Sequence, residues 1–166
     1  LLDNIHNPLV NYDPSFVESD QSMTSILPYA SQTFPKAKLI PIVLKYSISL
    51  ENCRQLTVDI ANLPGKNLVI ASIDFSHYLN TSQALKNDQI TLALIKNRSY
   101  QDILSLDSGY LDSPASLVTA LLYFDHMGKN DMKILQAANS GQRGNQYAET
   151  TSYFSIVYTK SHGEKE

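Results

Sequence analysis

Asn67-Leu68-Val69-Ile70-Ala71-Ser72-Ile73-Asp74-Phe75-Ser76-His77-Tyr78 is the stretch that decides the fold of this chain. Residues 68 to 73 are almost wholly apolar and partly β-branched, the pattern of a strand covered on both faces, which tolerates a charge only where it ends. Asp74 therefore marks the exit of a predicted central strand. Open α/β sheets keep their ligand crevices at such exits, so Asp74 and His77 are the candidate catalytic pair. If the segment turns, His77 folds back beside Asp74, whose carboxylate can accept a ring N–H and fix the tautomer of a general base or a metal ligand. The plainer alternative is that Asp74 caps a turn and His77 is an ordinary surface or half-buried histidine.

On the N-terminal side, Lys38 to Leu44 (KLIPIVL) is strand-like, with Pro41 demoting it to an edge or bulged position. Between the two strands, Leu50, Cys53, Leu56, Ile60 and Leu63 form the stripe of a helix over Ser49 to Leu63, stopped by Pro64-Gly65. Earlier still, Met23, Ile26, Leu27, Ala30 and Phe34 step at helical spacing, and Pro28 among them predicts a kink or a late start. Beyond the exit, Thr81 to Asn97 and Ser99 to Leu106 read as helices. Ser113-Pro114 opens a further helix, hydroxyl as N-cap and proline at the first helical position, that runs to Gly128. It is apolar nearly all round from Ala115 to Phe124 and is predicted to be the most buried helix. Met132 to Ala137 and Tyr153 to Thr159 read as strands able to pair as a long hairpin across the polar loop Asn139 to Glu149. Strands alternating with helices predict a layered α/β/α domain with a mixed, partly parallel central sheet. A single domain is expected over residues 1–160, with a disordered tail over 161–166.

The 166 residues suffice for about one ordinary domain with a real core. A charged fraction of 17% and a net charge of −3 leave no electrostatic footprint for nucleic acid. The one cysteine, Cys53, excludes an internal disulfide, and its place on an apolar helix face makes it a small core residue. No apolar run approaches a membrane span and no signal segment opens the chain, so a cytoplasmic protein without a membrane partner is expected. Leu1 to Asp20, rich in Asn, Pro and Asp, reads as a loop entering a domain already under way.

Taken together, these elements resemble the Memo family, which includes the proteins called AmmeMemoRadiSam system protein B. Asp20-Gln21-Ser22 followed by Leu27-Pro28-Tyr29 resembles the family's Glu-His-Ser segment and Leu-Pro-aromatic helix. Lys38 to Val43 resembles its "ivPi" strand, and Ala71 to Tyr78 (ASIDFSHY) its signature "SSDFSHY", the most specific piece. Asn139-Ser140-Gly141 and the tyrosine-rich last strand resemble the C-terminal "nSgd … vgYaa" pattern.

The resemblance implies a fold similar to the class III extradiol dioxygenases, non-haem iron enzymes in which a comparable motif holds an acid/base histidine. His77 takes that role by resemblance, with Asp74 its neighbour. The match implies only a portion of the family's domain, because the two N-terminal histidines that supply metal ligands in Memo-type proteins have no counterpart here. A family cysteine before the buried helix is also missing, and that place reads Tyr110-Leu111-Asp112-Ser113-Pro114. Asp112 is the one substitute ligand, against a capping or turn role. Gln21 stands where the family has a histidine. His6, His126 and His162 have no ligand spacing with His77, so iron or copper is expected in intact relatives and not in this chain alone.

Two functions follow from this resemblance. One is metal-linked redox or dioxygenase-like chemistry, with His77 moving a proton on an oxygenated or phenolic substrate. The other is a non-catalytic binding or scaffold protein that uses the crevice for a peptide or small molecule. The loop Asn139 to Tyr147 fits either, as pocket wall or plain connector. Ser76 beside His77 is a poor hydrolase pair, because adjacent residues of an extended segment point to opposite faces. Family association implies AMMECR-type and radical-SAM proteins as partners.

Overall fold

The computed structural model describes residues 13–144 and 148–161. His6, most of the entry segment, His162 and nearly all of the expected tail lie outside those residues, as do residues 145–147 of the predicted loop.

Helix formation begins earlier than the apolar spacing predicts. Pro14–Ser19 forms α1 within the segment read as a loop, and Gln21–Thr33 forms α2. The start of α2 is set by Asp20, whose carboxylate accepts the Met23 N–H at 3.2 Å and the Ser22 hydroxyl, supplying a partner that a free helix N–H lacks. With that cap in place α2 runs through Pro28. The next helix, α3 (Leu50–Ala61), is capped by the Ser49 hydroxyl accepting the Asn52 N–H at 3.2 Å. It buries Cys53, Leu56 and Ile60 of the predicted stripe, and Thr57 beside them.

Two helices follow the Asp-His exit, α4 (Thr81–Asn97), capped by Asn80, and α5 (Tyr100–Leu104). Then α6 (Pro114–His126) carries proline in its first turn and ends before Gly128, whose φ of 66° suits glycine. The Ser113 hydroxyl does not cap it as expected, because it pairs with the Ser116 hydroxyl at 2.6 Å. Ala115, Val118, Leu121 and Tyr123 are among the residues buried on α6, the most buried helix as predicted. Two apolar clusters meet there. One joins Cys53, Ile95, Ile103, Leu111 and Leu121 with Phe75 of the exit segment, and the other joins Leu56, Ile60 and Leu63 of the α3 region with Tyr123.

The fold is mixed α/β, but its sheet corrects the expected topology. Among the described residues β1 (His77–Leu79), β2 (Asp131–Asn139) and β3 (Thr150–Thr159) form a three-stranded sheet of order β1-β3-β2. Both pairings are antiparallel. The expected hairpin is β2 on β3, with Ile134 opposite Ile156, Ala137 opposite Phe154 and a bulge between Ile134 and Gln136. The loop joining them contains a short helix, α7 (Ser140–Gly144).

Residues 38–44 and 67–73, read as strands with parallel neighbours, pair with no strand among the described residues. Their burial still alternates with the strand period. Ile40, Ile42, Leu44 and Val69 pack on the second cluster, whereas Leu39, Val43, Leu68 and Ile70 are 40–61% exposed. The apolar run is therefore covered on one face, not two. Among the described residues no helix is long and apolar enough to cross a membrane.

Candidate functional site

The predicted exit segment reaches the sheet in two steps. The Phe75 N–H donates to the Ser152 carbonyl at 3.1 Å and the Ser152 N–H donates to the Ser76 carbonyl at 2.9 Å, fastening residues 75–76 beside β3. The Phe75 ring packs on Phe154 with centroids 4.6 Å apart, so this fastening is anchored in the core. Ser76 is fully buried and its hydroxyl has no hydrogen-bond partner among the described residues, which keeps it away from any substrate. His77 then pairs with Thr151, followed by a register shift and by Tyr78 in the left-handed region at φ 56°. That turn releases the chain toward α4.

Cross-strand partners share a sheet face. His77 therefore lies with Thr151, and along β3 with Tyr153, Ser155 and Val157, on the face turned away from Phe154, Ile156 and Tyr158 of the core. On that face Gln136, Ala138, Ser140, Tyr153 and Ser155 line an open hollow of about 560 Å³. His77, Asp74 and Asp112 are not among its lining residues.

The expected Asp74–His77 pair is not made through the imidazole. His77 Nδ1 lies 3.2 Å from the Phe75 carbonyl oxygen. A carbonyl only accepts, so in the tautomer that makes this bond Nδ1 donates and Nε2 is left to face outward. The Tyr78 ring meets the imidazole edge-on at 4.8 Å. Asp74 is exposed and engaged through its backbone: its N–H donates to Asp112 Oδ1 at 3.1 Å, and its carbonyl accepts the Asp112 N–H at 3.1 Å. Asp112 thus clamps the exit across 38 residues of sequence. Partial burial pushes its acid above the ordinary range, and the nearby Asp74 carboxylate adds to this, while the Asp74 and Ser113 N–H groups and His77 pull it down. The main-chain clamp thus holds Asp74 beside Asp112.

Three features escaped the sequence reading. Asn139, buried, donates to the Thr150 and Ser152 hydroxyls at 3.1 and 3.0 Å and accepts the Gly141 N–H at 2.9 Å. The Thr150 hydroxyl passes the chain on to the Leu79 carbonyl at 2.9 Å, and Ser140 Oγ accepts the Thr151 N–H at 2.9 Å. This knot sets the height of β3 against β1, and so of Thr151 against His77. Farther off, Arg98 Nε meets Asp125 at 2.9 Å, the Tyr100 hydroxyl donates to the same carboxylate, and Arg98 covers the Tyr158 ring at 5.1 Å. Lys96, Arg98, Asp125, Asn130 and Met132 line a second hollow of about 580 Å³ there.

With this geometry in hand, the family model described as Memo-like protein matches residues 2–157. The chain belongs to the Memo family. A curated relative, "MEMO1 family protein" of Caldivirga maquilingensis, is 26% identical over 155 residues, covering 89% of this chain and 55% of its own length. The Memo-family chain thus spans about half the length of that relative. Membership is consistent with the dioxygenase-like α/β fold implied by the ASIDFSHY signature.

Among the described residues no three His, Cys, Asp or Glu side chains converge as a ligand set. Cys53 is sealed in the core, where burial raises its thiol pKa, and His126 is exposed at the end of α6. Asp112 Oδ1 is occupied by the Asp74 N–H. The described residues do not fit an iron or copper centre.

Proposed function

We propose that this Memo-family chain binds an oxygenated, phenol-like small molecule on the open sheet face, where His77 Nε2 exchanges a proton with the ligand's hydroxyl. The observation that carries the reading is the hydrogen bond from His77 Nδ1 to the Phe75 carbonyl. It fixes the ring's orientation and leaves Nε2 as the acceptor, the arrangement required of a histidine that takes a proton from a bound hydroxyl. Tyr153, 46% exposed beside the hollow, offers an aromatic face for a planar ring, and the hydroxyl groups of Ser140 and Ser155 offer polar contacts at its rim. Redox or dioxygenase-like chemistry would draw its metal ligands from outside the described residues, so binding is the reading these side chains favour.

Titration of the isotopically labelled protein with catechol tests it. Saturable shifts of the His77 imidazole and Tyr153 ring signals are expected, with binding weakened at least about tenfold in His77→Ala and folding unchanged. Absence of saturable shifts would refute the binding reading. Stoichiometric iron or copper uptake by the chain, lost in His77→Ala, would replace it with the metal-dependent one.

A further inference from the structure

The second hollow, of about 580 Å³, lies at the far end of β3 from His77. His77 pairs with Thr151, whereas Met132, which lines this hollow, pairs with Tyr158, seven residues further along β3 and so about 23 Å away. The other lining residues are Lys96 and Arg98 at the end of α4, Asp125 in the last turn of α6, and Asn130 just before β2.

Arg98 is held there as a fixed fork. Its Nε donates to Asp125 at 2.9 Å and its Nη1 to the Ile95 carbonyl at 3.1 Å. The guanidinium carbon lies over the Tyr158 ring at 5.1 Å, and that ring stacks on Phe124 with centroids 4.6 Å apart. Two of the five N–H donors are used in these bonds, and among the described residues the Tyr158 oxygen is the other acceptor beside them, so the fork keeps donors to spare. Charge favours an anion as their partner. Lys96 and Arg98 bring two positive charges against the one of Asp125, whose oxygens are already taken by Arg98 and the Tyr100 hydroxyl. Asp131 pairs with Thr159 and faces the side of β2 opposite to Met132. The last carbonyls of α4 and α6, which would repel an anion, are occupied too: Leu94 and Ile95 accept from Ser99 and Arg98, and Phe124 and Asp125 from Lys129 and Gly128.

We propose that this hollow binds the phosphate group of a small phosphorylated molecule. Arg98 and Lys96 meet the phosphate oxygens, the Asn130 amide donates at the rim, and Met132 lies against the organic part. Donors from three residues match the three free oxygens of a phosphate ester better than the two of a carboxylate. The site stands apart from the reading of His77 and shares no residue with it.

Titration of the isotopically labelled protein with phenyl phosphate at constant ionic strength, followed at the Arg98 Nε–H signal, tests it. A saturable shift with a Kd of about 1 mM or tighter is expected. Lys96→Ala and Asn130→Ala should each weaken binding about fivefold or more and keep the parent's thermal midpoint, because both side chains are exposed. Arg98→Lys, which keeps the charge without the fork, should weaken it at least as much, and His77→Ala should bind as the parent does. A shift that does not saturate overturns the proposal, as does either alanine variant binding like the parent. Equal affinity for acetate overturns it as well, since the hollow would then take any anion, and so does weakened binding in His77→Ala.

Discussion

Asn139 shows how a single side chain fixes the neighbourhood of the candidate site. Both amide hydrogens and the amide oxygen are used inside the knot that joins β2, α7 and β3. Asn139→Ala removes three hydrogen bonds from a buried place, and at about 1 kcal/mol for each the expected loss is about 2–3 kcal/mol in urea unfolding. A change below about 0.5 kcal/mol would show the knot to be dispensable. Asp112 gives a paired prediction. Its pKa is raised in the folded chain, so its stabilising contribution is complete below the unfolded value and is lost as pH rises through the folded one; at pH 7 the ionised form weighs against folding. Asp112→Asn keeps an oxygen for the Asp74 N–H without the charge, and should match or exceed the parent's stability at pH 7. Asp112→Ala removes that acceptor at an exposed place and should cost about 0.5–1 kcal/mol. Equal losses in the two variants would contradict the clamp. Cys53 was legible as a core residue from its place on an apolar stripe. Asn139 was not, because an asparagine before Ser-Gly in a polar loop looks like any turn former until its partners 11 and 13 residues away are known.

Among the elements, α6 carries the core. Leu121 is fully buried there, and Leu121→Ala is expected to cost about 2–5 kcal/mol, against less than about 0.5 kcal/mol for Leu85→Ala on the exposed side of α4, where Leu85 is 43% exposed. Similar effects of the two in chemical denaturation would contradict the packing. Four elements meet at the Arg98 cluster: the end of α4, α5, α6 and β3. Burial opposes the charge of Arg98, but the Asp125 carboxylate outweighs it and holds the guanidinium firmly ionised. Burial and Asp125 push the Tyr100 phenol well above its ordinary range, and burial does the same to Tyr158 against the pull of Arg98. Raised phenols stabilise the fold below their unfolded pKa of about 10 and lose that contribution as pH climbs further. Urea midpoints should therefore fall steeply above pH about 10, and Tyr100→Phe should flatten the fall; an unchanged slope would detach Tyr100 from the cluster. Helices were legible because their stripes and caps are local. The start of α2 was missed, since Asp20 precedes the first apolar residue of the stripe by three positions, and α1 and α7 were missed because six and five residues are too few to show a stripe. Segments 38–44 and 67–73 carry a strand pattern and a strand-like alternation of burial, but pair with no strand among the described residues, because pairing depends on neighbours that a local pattern does not encode.

At the scale of the whole molecule, two faces divide the work. The helical side is packed and built on α3 and α6, while the sheet side is open, with His77 and the hollow along β3 on it. The ASIDFSHY motif made family and fold class legible, yet the expected Asp74–His77 pairing failed for a local reason. The Phe75 carbonyl lies nearer in sequence to the imidazole than the Asp74 carboxylate does, and it takes Nδ1 first. The orientation and tautomer of one imidazole therefore decide what this face can do. A long-range proton–nitrogen correlation spectrum of the neutral protein, with the His77 signals assigned by their loss in His77→Ala, reads it directly. The structure predicts a protonated Nδ1 and an Nε2 with a free lone pair, shifting when catechol is added. A protonated Nε2, or an Nε2 signal indifferent to the phenol, would contradict it.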